Sequence, residues 1–428
     1  MKFHLKTIFT IILFSNSFLI CSIIDVTSLG GETVLSELEP VNMVSFNTFS
    51  PKFHNSFNEF KIIIDESNHI YVGGHMGHDQ YESLLLMTDM KGNLLWENLS
   101  SNGIIYDIAV DSLGDVYCTG VKYGATQEIY FLKYSNSGEF LWDKTLTGKG
   151  DEWGRCVSVD SLDNVYIAGY NSSIDTDHRE IICVKYNPLG EQEWLRAWGK
   201  DENARCFDCT TDISNNIYLV GYVESPFDND MCIVKYDSLG NELWNLTFPY
   251  TKLAHTDERL WTITADANGD IYVAGDISNV AIFLAKFDSN GINLWNATWD
   301  IDYKVLGVEQ LTVDSQGNLY MIGNYRPFES DDWRYNDHLY NYLAKFRNGI
   351  EQWHYYWKIS DFNIICGIAL NQDDIYICGS TEGTLFLAKF SEALPIIALY
   401  ILFLGVGGAL IIFMGHRILK KKKRVKSE

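Results

Sequence analysis

Proline is scarce, with 7 in 428 residues, and lysine plus arginine number 33 against 56 aspartates and glutamates. So few prolines beside 14% aromatic residues suit strands and argue against a disordered chain. The shortage of basic residues leaves a net charge of −23. So acidic a body repels nucleic-acid phosphates, which excludes nucleic acid as a partner. Metal spacing is lacking too: Cys206-Phe-Asp-Cys209 has no second pair to complete a zinc site. No catalytic motif stands out from the background.

The two ends differ from the body between them. Lys2 and Lys6 precede an apolar run over 7–14 and a second patch over 18–20, the pattern of a secretory signal cleaved after Ser22. A lipoprotein signal at Cys21 fits less well, because Ile20 is not small. Residues 394–415 are 22 positions without a charge, enough to span a bilayer as a transmembrane helix. Arg417, Lys420 to Lys423, Arg424 and Lys426 follow in a basic tail over 416–428, which the positive-inside rule keeps in the cytoplasm. The expected localisation is a single-pass cell-membrane protein with its body, 41–391, outside. Removing the two ends leaves 24 basic against 55 acidic residues, a charge of −31. Eight of the nine cysteines remain, at positions that recur along the chain, where small buried hydrophobes are expected.

What is abundant is a repeat. Seven times a Tyr stands three residues before a Gly: Tyr71/Gly74, Tyr117/Gly120, Tyr166/Gly169, Tyr218/Gly221, Tyr272/Gly275, Tyr320/Gly323 and Tyr376/Gly379. Successive Tyr residues are 46 to 56 positions apart, and the first six follow an Asp at minus six. Repeats of this length mark propellers or solenoids. One repeat reads as four strands, at 155–159, 165–170, 180–186 and 193–198, joined by Asp/Asn/Gly turns. Six repeats carry a Gly followed by Trp at plus four, as in Gly190/Trp194 and Gly240/Trp244. The Gly supplies positive φ and the Trp covers the space between blades. Before this turn lies Lys plus an aromatic, as in Lys185-Tyr186, read as a lysine snorkelling along an outer strand. The seventh repeat has no Gly–Trp, and the spare segment 41–49 is expected to supply its missing fourth strand. The fold class is therefore all-β: a seven-bladed β-propeller of four-stranded antiparallel blades, closed by an N-terminal strand.

Two phrases are specific. Asp314-Ser-Gln-Gly-Asn-Leu-Tyr-Met-Ile-Gly323 and Lys235-Tyr-Asp-Ser-Leu-Gly-Asn-Glu-Leu-Trp244 resemble the SBBP-type beta-propeller repeat family, over roughly residues 60–390. The resemblance implies an extracytoplasmic seven-bladed propeller and no catalytic residues. Quinone-dependent dehydrogenase propellers also place Trp four after Gly, but their longer Ala-x-Asp-x-x-Thr-Gly pattern is absent, and the Asp-box spacing of sialidases fails.

In a propeller the first-to-second and third-to-fourth turns share one face, here the short one. Second-to-third loops and blade crossings share the other, where variable loops carry function. The chain enters the expected span about three residues after a third strand, so the short-turn face lies near the bilayer. On the far face, acidic pairs precede blades three to five, each followed by an Arg: Asp151, Glu152 and Arg155; Asp201, Glu202 and Arg205; Asp257, Glu258 and Arg259. These either bind Ca²⁺ through oxygen ligands or form an ion-pair ring that staples the blades. The longest loop, 324–339 in blade six, offers Tyr325, Arg326, Trp333, Arg334 and Tyr335, residue types that dominate interfaces. His75 and His78 are a weaker metal pair. Sequons at Asn98, Asn171, Asn245 and Asn296 are candidate glycosylation sites. The reading that follows is a membrane-anchored surface propeller that binds a protein or carbohydrate partner. The alternatives are a polysaccharide-acting hydrolase or lyase at the channel mouth, or a purely structural envelope component.

Overall fold

Short apolar runs between Asp/Asn/Gly turns make strands, and the described part of this computed structural model is built from strands and turns. It describes residues 43–45, 59–76, 82–100, 103–148, 150–172, 178–199, 203–225, 228–249, 257–278, 281–299, 304–326, 340–357, 363–372, 374–381, 384–391 and 416–417.

After β1 (Met43–Ser45), blade one comprises β2 (Glu59–Ile64), β3 (His69–Met76), β4 (Glu82–Asp89) and β5 (Leu94–Ser100). Blade two is β6 (Ile104–Val110), β7 (Val116–Tyr123), β8 (Gln127–Tyr134) and β9 (Phe140–Leu146). Blade three is β10 (Glu152–Val159), β11 (Val165–Ser172), β12 (Arg179–Tyr186) and β13 (Gln192–Trp198). Blade four is β14 (Ala204–Thr211), β15 (Ile217–Glu224), β16 (Asn229–Tyr236) and β17 (Glu242–Phe248). Blade five is β18 (Glu258–Ala265), β19 (Ile271–Ile277), β20 (Ala281–Phe287) and β21 (Asn293–Trp299). Blade six is β22 (Lys304–Val313), β23 (Asn318–Arg326), β24 (Tyr340–Arg347) and β25 (Ile350–Trp357). Blade seven is β26 (Asn363–Asn371), β27 (Asp374–Thr381) and β28 (Thr384–Ser391).

Each blade is an antiparallel sheet in chain order, and β1 completes the seventh by pairing with β28, Met43 opposite Ala388 and Ser45 opposite Phe386. The expected closure by 41–49 is thus present. The first strands touch one another in turn, β2 to β6 and on to β26, which returns to β2, so they line a central channel. A two-residue strand, β29 (His416–Arg417), lies against Tyr355 and Tyr356 at the outer edge of blade six. Among the described residues no helix is long and apolar enough to cross a membrane. The run 394–415 lies outside them.

The repeat residues form one polar device per blade. The Tyr hydroxyl donates to the Asp six positions earlier in the first six blades, at 2.9–3.3 Å, as in Tyr218 to Asp212 Oδ2. The other oxygen of Asp111 accepts the Leu113 and Asp115 amides and closes the first turn. The lysine read as snorkelling on an outer strand is instead buried at Lys133, Lys185 and Lys235. It sits over the Tyr ring, 4.6 Å away for Lys235 and Tyr218. It also reaches the same carboxylate in three blades, 3.1 Å for Lys286 and Asp266. Pairing with the turn Asp holds the charge inside, which spacing alone could not show.

Apolar packing runs between blades. Cys156, Tyr166 and Trp194 of blade three share a cluster with Cys206, Leu219 and Tyr236 of blade four. Trp194 and Trp244 donate from Nε1 to Ser238 and Ser289 of the following blades, as their interblade role requires. All eight described cysteines are buried free thiols, with burial pushing Cys156, Cys183 and Cys206 well above the ordinary thiol range.

Pairing of β1 with β28 gives blade seven its fourth strand and ties the N-terminal segment to the last blade. A chain beginning at Ser50 is therefore expected to melt well below one beginning at Ile23, measured by calorimetry. Equal melting temperatures would contradict the closure.

Candidate functional site

The channel is shaped by an irregularity repeated around the ring. From blade two to blade seven the first strand skips register against the second. The skipped residues are Tyr106, Arg155, Phe207, Trp261, Glu309 and Cys366, with a further skip at Leu306 in β22. A β-bulge re-aims the extra side chain. These six line a cavity of about 230 Å³ in the channel, together with Glu59, Phe60 and Lys61 of the unbulged β2. Apart from that at Glu309 in β22, the bulges fall in the first half of their strands, so the cavity lies toward the crossing-loop face.

In four of the six bulged blades the residue after the bulge stitches the ring. Asp107 Oδ2 accepts the Val157 amide at 2.8 Å, and Asp208 Oδ2 accepts that of Ile263 at 3.0 Å. Thr262 and Gln310 accept Leu311 and Ile368 in the same way, at 3.3 and 2.9 Å. In blade three the equivalent residue is Cys156, whose sulfur is 4.0 Å from that of Cys206.

At the bottom of the cavity one cation faces four carboxylates. Desolvation opposes the charge on Lys61, but Asp208, Asp107, Glu309 and Glu59 outweigh it and hold the ammonium above its ordinary value. Burial raises Asp107 to about 7 although Lys61 pulls against it. Burial, then the neighbouring Glu59, raises Glu309 to about 7, and Asn324 donates to its Oε1 at 2.9 Å. Asp208 is raised by burial.

Above them lies a sector of arginines and rings from blades two to five. The Arg155 guanidinium sits 4.3 Å from the Tyr106 ring and 5.7 Å from Phe207. Arg205 lies over Tyr170 and Tyr222, and Arg259 shares the Tyr222 ring. Trp153 stacks on Tyr170 at 4.8 Å, and Phe207 meets Trp261 at 4.5 Å. The Nε groups of Arg155, Arg205 and Arg259 are buried without a hydrogen-bond partner among the described residues.

Among the described residues, the expected ring of Arg neutralised by the acids beside it forms only once, between Arg259 and Asp257 at 3.2 Å. Arg205 instead pairs with Glu224 at 2.5 Å, and Arg155 makes no ion pair among the described residues. The crossing acids bond elsewhere. Asp151 accepts the Gln127 amide of the preceding blade at 2.8 Å, and Asp257 accepts from Asn229 at 2.7 Å. Glu152 and Glu258 are buried at the starts of β10 and β18, and burial with nearby Glu128 raises Glu152 to about 7. Strand β10 starts three residues earlier than expected, because this acid folds inward. Asp201 and Glu202 lie outside the described residues. Among the described residues no three metal-ligating side chains converge. His75 is buried in β3 with Nδ1 3.3 Å from the Ile105 carbonyl, and His78 lies outside.

Blade six also differs from expectation. Tyr325 is a buried residue of β23, packed on Tyr340 and Tyr356, rather than part of an exposed loop. Arg326 ends that strand, and Trp333, Arg334 and Tyr335 lie outside the described residues. Of the sequons, Asn245 and Asn296 are exposed on the outer strands β17 and β21. Asn98 is half-buried and donates to the Gly138 carbonyl at 2.8 Å, and Asn171 lies at the end of β11, accepting the Glu180 amide. Sequence reading missed Tyr106, Phe207, Trp261 and Glu309. Their only shared sign is position within the first strand.

Comparisons bear on the fold. No family model matches the chain. An uncharacterized WD repeat-containing protein of Acanthamoeba polyphaga mimivirus is 28% identical over 168 residues, which is 33% of this chain and 12% of that protein. The Pan2 WD40 domain of Neurospora crassa is 8% identical, with a TM-score of 0.50 over 83% of this chain and 95% of that domain. The β-propeller domain of the Trilobed protease from Pyrococcus furiosus is 11% identical, with a TM-score of 0.45 over 79% of this chain and 97% of that one. The chain is thus a seven-bladed β-propeller with WD40-like relatives, and the narrower SBBP-type resemblance rests on its repeat phrases alone.

The Glu309 carboxyl titrates near 7 in the fold against an ordinary 4.5. The folded protein then holds more protons than the unfolded chain between those values. Its stability contribution is present below about pH 4.5 and is lost as pH rises through about 7. Glu309→Gln is expected to gain stability relative to the parent across that window and to keep a constant difference above it. A pH-independent difference in melting temperature would show that folding does not raise the Glu309 carboxyl.

Proposed function

We propose that the protein is a cell-surface binding module: an extracellular propeller, anchored by a span over 394–415, that presents its crossing-loop face to a protein or carbohydrate partner. In this reading 1–22 is a cleaved signal, 416–428 is cytoplasmic, the repeats are of the SBBP type, and Asn245 and Asn296 are the sequons best placed for glycans. The observation that carries the binding reading is Arg155. It is aimed by a bulge into a cavity walled by Tyr106, Phe207 and Trp261, and its Nε makes no hydrogen bond among the described residues. A guanidinium already stacked on a ring loses little freedom when its edge meets a carboxylate or hydroxyl pair. Arg and Trp beside it are the residues in which interface energy concentrates.

The anchor is supported by 22 uncharged residues and the basic cluster that follows. Such a span carries His416 to the far side of the bilayer from Tyr356. The span and the β25–β29 pairing are therefore mutually exclusive, and this reading takes the span.

A second reading, the polysaccharide-acting enzyme, draws on Glu309, a carboxyl raised to about 7 in a cavity shared with Glu59. Glu309 is held by Asn324, and Asp107 and Asp208 are committed to neighbouring amides, which favours binding over acid–base turnover.

Glycan-array and surface pull-down screens with residues 23–391 test both. Replacing Arg155 by Ala is expected to weaken the captured partner roughly thirtyfold, the effect of losing about 2 kcal/mol at a hot spot. Unchanged affinity would move the site off the cavity. Cleavage of a bound glycan would favour the enzyme.

A further inference from the structure

The apolar side chains that the blades leave exposed are not scattered. Fifteen large ones are exposed among the described residues, and thirteen of them lie in the short turns or in the first two residues of the fourth strands that leave those turns. Leu99 and Leu195 are the two elsewhere. Leu113, Leu162 and Ile213 stand in first-to-second turns, and Leu189, Leu239 and Ile292 in third-to-fourth turns, each 61% to 81% exposed. Leu95, Phe140, Leu243 and Leu294 continue the apolar surface onto the rim.

The fold does not require these residues. Leu113, Leu162 and Leu239 give their turns only a backbone amide, donated to Asp111, Asp160 and Asp237. Asn268, Asn290 and Gln316 do the same at equivalent positions with polar side chains. The turn aspartates accept their own amides and, in the first-to-second turns, the repeat Tyr, and the exposed Glu66, Glu139, Glu191, Glu193 and Glu242 stand beside the aliphatic tips on this face. Aliphatic tips gathered on one face of a very acidic domain mark a contact surface.

The chain itself indicates what covers it. Strand β28 runs toward this face and ends at Ser391, and the uncharged run 394–415 begins three residues later. A span starting there brings the short-turn face against the bilayer. We propose that this face docks on the membrane, its aliphatic turn tips entering the interfacial layer as shallow apolar anchors. The inference rests on the anchor reading above. The acidity of the domain favours a zwitterionic lipid surface over an anionic one.

The test uses the full chain in phosphatidylcholine nanodiscs. Single labels sensitive to polarity go on Leu239→Cys, on Leu162→Cys, and on Ala125→Cys, which lies in a loop of the opposite face. The described native cysteines are buried and leave the new thiol as the accessible one. Labels at 239 and 162 are expected to shift to the blue and to be quenched by lipid-borne nitroxides, while the label at 125 stays water-like. Water-like emission at 239 and 162 from chains held in the discs would overturn docking and leave the anchor standing. A blue shift without lipid quenching means that a second copy or another protein covers the face, which also overturns it. Failure of the chain to enter the discs would remove the anchor and docking together.

Discussion

The constraint on which the rest depends is the close approach of each first strand to the glycine of the second. A Cβ added at Gly120, Gly169, Gly221 or Gly275 would be driven into the carbonyl oxygen of Ile104, Trp153, Arg205 or Arg259. In blades two to five that carbonyl belongs to the strand segment at the start of the bulge. The same approach occurs in the unbulged blade one, where Gly74 meets the Glu59 carbonyl, so the glycine sets the strand spacing, and the bulge in the other six blades turns one side chain into the channel. The repeat Tyr, three residues away, is fixed by the turn Asp and the buried Lys. Scaffold and cavity are thus set by the same residues, and the identity of the bulged residue is left free.

This freedom separates the two ends of the molecule. Short turns are held by carboxylates that face their own amides, so the turn tips vary without cost to the fold and can become aliphatic. At the other end, Lys61 balances four carboxylates deep in the channel, and Arg155 lies among rings nearer the crossings. Burial keeps two of these carboxyls protonated to about pH 7, which lowers the charge that the fold must hold there.

The architecture was legible because its residues recur with fixed identity. Tyr-x-x-Gly, the Asp at minus six and Gly–Trp gave blade number, strand order and closure by β1. The bulge was not legible, because Tyr106, Arg155, Phe207, Trp261, Glu309 and Cys366 share a position and no chemistry. The buried Lys was misread because its partner lies 20 to 23 residues away along the chain, as with Lys286 and Asp266 or Lys235 and Asp212. Arg205 was matched to the acids next to it in sequence, whereas Glu224 reaches it across the β14–β15 pair. Tyr325 read as a loop residue because the aromatics after it run on without a turn signal, but β23 extends through it and its ring packs on Tyr340 and Tyr356.

The central claim is that the close approach of the first strand to the second-strand glycine holds the scaffold, and that the bulge beside it aims Arg155. Calorimetric melting of Gly169→Ala tests it most directly, because the added methyl meets the Trp153 carbonyl and the Arg155 amide. Overpacking of this kind costs about 1–3 kcal/mol or more. The variant is expected to melt several degrees below the parent. Melting at the parent temperature would contradict the account, because the close approach of the two strands would then not depend on the glycine.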